Sequence, residues 1–443
     1  MSNWAELSAA CNTSSANVTL SPYFDSHDYT TAIDFTSKRL VVVGNNAVLD
    51  AHNQGGFFIA YWKAHTRNVL VLYNLTMLNA GHYSGNAQLN AVSIGSRTSV
   101  LKVYGCTFSN NTESFAVPGY GTSWICSHTC DYNANKCSEA QAHQLCANGH
   151  LCTLCVYGGG AIGVYNNGSA EVYASTFVFN RGTIGGAVTA TSGTMKFYDS
   201  VFTQNQATGS HNGGGALCLH ANAMVEIWGS VFASNRALHG GAIASRDSAV
   251  LKVHNSSFDS NAAIRFGGAL YLRDAAAMDI RSCTFVSNGK HDAMQRFDTD
   301  EVMGGAIYAE NTANVQVRTT TFLANAASIG GAMYVNGGAA HASIYDCVFT
   351  QNVALGLYAG GGAIFADGAT VSTIRSVFRA NMATFLSPGV DKYRGNTCRE
   401  SPLTQCYSDH TTLHQPLCSS DADCPSASSA CYACSTVNDA NGL

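Results

Sequence analysis

Two carboxylates held about 5–10 Å apart can cleave a glycosidic bond, so acidic pairs are the first place to look for chemistry in a long chain of low charge. The 443 residues hold one acidic cluster, Asp298, Asp300 and Glu301, with His291 and Asp292 close by. All five lie in a polar stretch, 289–303, without apolar periodicity. Solvated charge or weak calcium binding accounts for them more simply than catalysis. Asp199 and Asp346 share a place three residues before a phenylalanine, but they are five repeats apart. Asp279 shares its place with Glu226, Lys252 and Gln316, an ordinary mixed and solvated row. The glycine-rich elements recur and lead into strand-like runs rather than helices, which excludes a phosphate cradle. The chain therefore reads as non-enzymatic, with a polysaccharide lyase or glycoside hydrolase as the alternative. No metal or cofactor is expected.

Seventeen cysteines are the next reactive set. Cys126, Cys130, Cys137, Cys146, Cys152 and Cys155 cluster in an insert at 112–157, and Cys398, Cys406, Cys418, Cys424, Cys431 and Cys434 in the tail. The Cys-x-x-Cys at 152/155 and the Cys-x-x-x-Cys at 126/130 have spacings that zinc accepts. Two even sets beside six sequons, at Asn12, Asn17, Asn74, Asn110, Asn167 and Asn255, favour disulfides and glycosylation in an oxidising compartment instead. The opening residues, Met-Ser-Asn-Trp-Ala-Glu-Leu, lack the basic start and apolar stretch of a secretory signal. A truncated start or an excised fragment is therefore expected, and a cytosolic protein with reduced thiols is the rival reading.

The elements that must position these groups are set by two alternating tetrapeptides. Phe-x-x-Asn occurs at Phe108, Phe177, Phe202, Phe232, Phe258, Phe285, Phe322, Phe349 and Phe378. Gly-Gly-Ala plus an aliphatic residue begins at Gly159, Gly185, Gly214, Gly240, Gly267, Gly304, Gly330 and Gly361. From each Gly-Gly-Ala to the next Phe the spacing is 17 to 19 residues, whereas from Phe to the next Gly-Gly-Ala, over the seven repeats from Phe177, it ranges from 8 to 19. One arm of fixed length and one corner that accepts insertions describe a solenoid. Before each Phe, apolar residues such as Val225/Ile227 and Leu251/Val253 flank polar ones such as Glu226 and Lys252, the period of a half-buried strand. A second strand follows Gly-Gly-Ala, with inward pairs Ile162/Val164, Leu217/Leu219, Leu270/Leu272 and Met333/Val335. Repeats this short and free of helix stack their strands in parallel only if each closes one turn, which predicts an all-β fold, a parallel β-helix. Phe then forms a buried column, Asn supplies a left-handed bend and a side-chain ladder, and Gly-Gly turns where a Cβ would clash. Cys106, Cys283 and Cys347 share a slot two residues before Phe with Ser and Thr. Cys283 and Cys347 would lie two strand spacings apart, too far for a bridge, so all three should be buried free thiols.

Charged residues make up 12% of the chain and the net charge is −5 without a basic run, so nucleic acid is an unsuitable partner. No 18-residue apolar stretch is present, which excludes a membrane-spanning helix. Residues 1–99 read as an N-terminal cap with degenerate opening coils, 100–385 as the repeats, with the insert at 112–157 and a loop at 289–303, and 386–443 as a Cys-rich module.

The alternating Gly-Gly-Ala-Ile and Phe-x-x-Asn motifs over about residues 100–385 resemble the repeat of the chlamydial polymorphic outer membrane proteins. The resemblance implies a single-stranded, right-handed parallel β-helix that acts in adhesion at a cell surface. No C-terminal membrane barrel follows Asn381, so the Cys-rich tail and sequons look more like a secreted relative from algae or other microbial eukaryotes.

Two outward rows are the candidate binding residues. Four places before Phe sit Tyr104, Tyr173, Tyr198, Trp228, His254, Arg281, Arg318 and Tyr345. Two places after the Ala of Gly-Gly-Ala sit Tyr271, Tyr308, Tyr334 and Phe365. Exposed rows of rings can hold a glycan or a cell-surface protein, or simply stabilise their own sheet. The expected function is an extracellular, non-enzymatic surface for adhesion or assembly, with a purely structural role in a cell coat or appendage as a further alternative.

Overall fold

The computed structural model describes residues 1–13, 15–29, 32–60, 67–81, 90–112, 159–209, 213–289, 302–356 and 360–385, and a short antiparallel pair, Thr404–Gln405 with Ser435–Thr436. The cysteines of 126–155 and 398–434 lie outside the described residues, as do His291, Asp292, Asp298, Asp300 and Glu301.

One coil shows how the sequence closes on itself. After Gly214-Gly215-Ala216, a strand at Leu217–His220 buries Leu217 and Leu219. A second strand, Met224–Trp228, buries Val225 and Ile227. A bend at Gly229 leads to Val231–Ala233, which buries Phe232, and another bend leads to Arg236–His239, where Ala237 points inward. The chain then meets Gly240 and begins the next coil. Each strand pairs in parallel with its equivalent one coil on: Leu217 with Ile243, Met224 with Val250, Phe232 with Phe258, Arg236 with Ala262. The result is a right-handed parallel β-helix. Its first sheet has 21 strands and its second 11; the third is in two pieces of four and three strands, all counted among the described residues.

The third sheet was not foreseen. The corner after Asn opens with a short parallel strand, as at Gln206–Ala207 and Val353–Gly356. Its inward positions are Ala207, Ala237, Ala263, Ala327 and Ala354, too small to give the apolar alternation by which the other strands are recognised.

The phenylalanine column forms as expected. Phe108 to Phe378 stack ring on ring, with centroids 4.6–5.0 Å apart and planes within 8°. That spacing is the distance between neighbouring strands.

The asparagines differ from expectation in one respect. The left-handed residue is the one before Asn, as at Asn110 (φ 52°), Gln204 (54°), Ser234 (55°) and Gln351 (56°). Each Phe-x-x-Asn asparagine is instead buried, and it forms the predicted ladder. Asn235 Nδ2 donates to Asn261 Oδ1 at 2.9 Å and to the Phe202 carbonyl at 2.9 Å, and the pattern runs from Asn111 to Asn381. The amide is needed inside because it carries both a donor and an acceptor for successive rungs.

The slot two before Phe is a second ladder. Ser200 Oγ donates to the Tyr198 carbonyl at 2.9 Å and accepts the Ser175 N–H at 3.3 Å. Cys106, Cys283 and Cys347 take the same place as free, buried thiols, and Cys11, in the N-terminal helix, is another such thiol. At the second glycine of the pair, a Cβ on Gly241 would run into the Gly268 carbonyl of the next coil.

The N-terminal end is covered by a helix, Trp4–Thr13, which lays Trp4, Leu7 and Cys11 on the core. Asn3 Oδ1 accepts the Glu6 N–H at 2.9 Å and so caps the helix, and Glu6 accepts the Ser2 N–H at 2.9 Å, one residue before the cap. In the opening coils Met77 stands where later coils place Phe, paired with Phe108.

Candidate functional site

Outward residues of the first sheet make one continuous row. Tyr73, Tyr104, Tyr173 and Tyr198 stack with centroids 4.8–4.9 Å apart and planes within 11°. Trp228 stacks on His254 at 4.0 Å. The Arg281 guanidinium is held by Asp279 at 2.6 Å, and Arg318 lies 5.4 Å over the Tyr345 ring. Because the rings stack along the solenoid, neighbours cover their faces, and solvent meets ring edges and hydroxyls. Trp228 is 38% exposed, as the sequence predicted.

A row of alternating charge runs beside the rings. Lys102 binds Glu171 at 2.9 Å, and Glu226 lies between Lys252 at 3.0 Å and Lys196 at 3.8 Å. The hydrogen bond from Lys102 holds the Glu171 carboxyl below the usual carboxylate range, and Lys252 does the same for Glu226. Opposite charges directly across strands support the sheet while leaving the face polar.

The second row does not lie at the surface. Tyr271, Tyr308, Tyr334 and Phe365 are at most 2% exposed. The third-sheet strands explain this. They carry His239 and Phe266 over the second sheet, where His239 stacks on Tyr271 at 5.1 Å and Phe266 on Tyr308 at 4.5 Å. Met303 and Ile329 complete this outer apolar cluster. The phenol groups reach a polar edge: Tyr271 donates to Glu310 at 2.6 Å, Tyr308 to Glu310 at 3.3 Å, and Tyr334 to Asp367 at 3.1 Å. Burial and the Glu310 carboxylate push both Tyr271 and Tyr308 well above the ordinary phenol range.

The sequence reading missed Tyr73 because alignment on Phe skips a coil whose Phe is Met77; its signal is the Val71-Leu72-Tyr73 alternation. His239 carried no signal, since the third sheet that brings it to the tyrosines was not recognised, and Glu310, at the end of the second-sheet strand Ile307–Glu310, was not singled out. Asn17, Asn74, Asn110, Asn167 and Asn255 are exposed, the last four in left-handed bends, while Asn12 lies in the N-terminal helix. Among the described residues, no three His, Cys, Asp or Glu side chains gather as metal ligands, and no helix is long and apolar enough to cross a membrane.

Comparison with known proteins agrees with this architecture. Residues 207–378 match the family described as right handed beta helix region. The chain is thus similar to a β-helix repeat family over these residues. No curated protein matches it. The crystal structure of tailspike protein 3 of bacteriophage CBA120 is similar at 11% identity with a TM-score of 0.29, over 90% of this chain and 61% of the tailspike chain. The chain therefore spans about three fifths of that protein's length.

Proposed function

We propose that this protein is an extracellular, non-enzymatic β-helix whose first sheet presents a binding surface for adhesion or assembly. The observation that carries this reading is the uncovered row from Tyr73 through Tyr198 to Trp228 and His254, beside alternating Lys and Glu. Its ring faces are occupied, so a partner meets phenol hydroxyls, ring edges and paired charges. Such a surface suits hydrogen bonding to a glycan or a cell-surface protein more than face-on stacking of a sugar. The sequons and the resemblance to a surface-protein repeat support an extracellular setting. A glycan array and a cell-binding assay with wild type and Tyr198→Ala/Trp228→Ala test it. The double variant should lose at least tenfold in binding while melting as wild type. Equal binding by the variant, or no binding by wild type in either assay, contradicts it.

One observation favours carbohydrate cleavage as a second reading. Glu310 and Asp367 stand two coils apart on the second sheet, about 9–10 Å along the stack, near the spacing at which an acid and a base flank a water. Both already accept hydrogen bonds from tyrosines, which weakens that reading. Release of reducing ends from a polysaccharide, lost in Glu310→Gln, would favour it.

A further inference from the structure

The charged row of the first sheet alternates in sign without a break. Strand register places Lys102, Glu171, Lys196, Glu226, Lys252 and Asp279 on six successive coils, each beside the next. Their side chains are 23–41% exposed, so all six reach the surface. Exposed pairs of this kind add little to stability on their own. The order of the signs, however, specifies how another charged face can lie against it.

Read in reverse, the row is its own complement. Against a second copy whose coils run the opposite way, Lys102 meets Asp279, Glu171 meets Lys252 and Lys196 meets Glu226, and the symmetry repeats each pair. A slip of one coil in either direction sets like charge on like wherever charges meet. A slip of two leaves two of the six on each copy unmatched. With the coils parallel, each charge would face its own equivalent. One register alone is therefore attractive along the whole row.

The same register orders the ring row. Tyr198 comes opposite Trp228, and farther out Tyr104 comes opposite Arg281 and Tyr73 opposite Arg318, rings against guanidinium groups. Met224 and Trp228, the large apolar side chains exposed on this strip, both stand on the strand Met224–Trp228, next to the centre of the register. Apolar anchors at the centre with charges around them are the layout of a protein interface. From Tyr73 to Arg318 the strip is about 34 Å long, and its five-residue strands make it about 17 Å wide. Two such faces together come close to the ~1,200 Å² at which specific pairs begin. Taking the first sheet as the contact surface argued above, we propose that its partner is a second copy of this chain, packed face to face about a two-fold axis that runs along the strands between Lys196 and Glu226. The dimer is weak and salt-sensitive, so at low protein concentration the row is free for an outside partner.

The test is sedimentation of the full chain over a concentration series, before and after enzymatic removal of any N-glycans, because Asn74 and Asn255 border the strip. Wild type should dimerise in at least one of the two forms and dissociate at about 1 M salt, where screening shortens to ~3 Å. Lys196→Glu and Glu226→Lys should each raise the dissociation constant at least tenfold, since symmetry turns two facing pairs repulsive at once. Mixed in equal amounts, the two variants should form a one-to-one heterodimer, because every facing pair is again opposite in sign. Arg181→Glu, on the third sheet, should dimerise as wild type. If either variant fails to fold, Lys252→Glu and Glu171→Lys repeat the exchange one rung farther out. Wild type that is monomeric in both forms overturns the proposal. So do folded charge variants that dimerise normally, a mixture that stays monomeric, or an equal loss in Arg181→Glu. A monomer that still binds a glycan or cells through Tyr198 and Trp228 overturns the second copy and leaves the contact surface standing. A dimer that obeys the charge exchange but binds no glycan and no cell sustains the second copy and removes the outside partner.

Discussion

Asn205 aims both its backbone N–H and its Nδ2–H at one atom, Oδ1 of Asn235 in the next coil, at 3.0 Å each. Asn235 repeats the arrangement toward Asn261 and also donates to the Phe202 carbonyl. Replacing Asn235 by Ala strands the two Asn205 donors and the Phe202 carbonyl in a dry interior, while Asn261 Oδ1 keeps only the backbone N–H of residue 235. At about 1–3 kcal/mol for each stranded group, the loss should be at least about 3 kcal/mol. Asp should be no better, since a carboxylate cannot donate to Asn261 or Phe202. Solenoids open piecewise, so native-state hydrogen exchange at coils 202–261 is the suitable measurement, and unchanged protection there would contradict the ladder's role.

Phe258 is clamped between Phe232 at 4.8 Å and Phe285 at 4.6 Å. Phe258→Ala should cost about 3–5 kcal/mol through the cavity it leaves, and Phe258→Leu clearly less. Denaturant unfolding of the three proteins checks the order.

Burial pushes the thiols of Cys106, Cys283 and Cys347 up to about 11. They should resist iodoacetamide at pH 8 in the native protein and react in denaturant. The unfolded thiols ionise near 9 while the folded ones keep their protons until about 11, so their contribution to stability is whole below pH 9 and falls between 9 and 11. Cys283→Ser should be tolerated, because serine already fills this slot in neighbouring coils. Mass mapping that found a Cys283–Cys347 bridge would overturn the coil register.

At acid pH the histidines govern. Burial holds His220 down to about 3 and His239 to about 4. The unfolded chain takes up these protons near 6.5 and the folded chain does not, so stability falls as pH drops from about 6.5 toward 4. Thermal melts of His239→Phe, which keeps the stacking on Tyr271, should show a shallower loss over that range than wild type.

How far the sequence could be read follows from which signals are local. Phe258 and Asn261 announce themselves because each coil must present the same atoms to the next, and Val253 because a strand alternates. The third sheet was silent: Ala237 and Ala263 fill a narrow corner, and a two-residue strand has no period. That omission misplaced Tyr271, Tyr308 and Tyr334, which are outward on their strand yet lie in an outer apolar cluster where His239 and Phe266 roof the first two. Asn110 shows the limit of motif reading. Its place just before Asn111 takes the bend, because Asn111 is needed inside.

The central claim, that the first sheet is the contact surface, is tested most directly by hydroxyl-radical footprinting with whichever glycan or cell-surface protein the binding assays identify. Tyr198 and Trp228 should gain protection when the partner is added, while Tyr23, 90% exposed near the N-terminal helix, stays unchanged as the internal reference. Saturating partner that leaves Tyr198 and Trp228 as reactive as before would contradict the account.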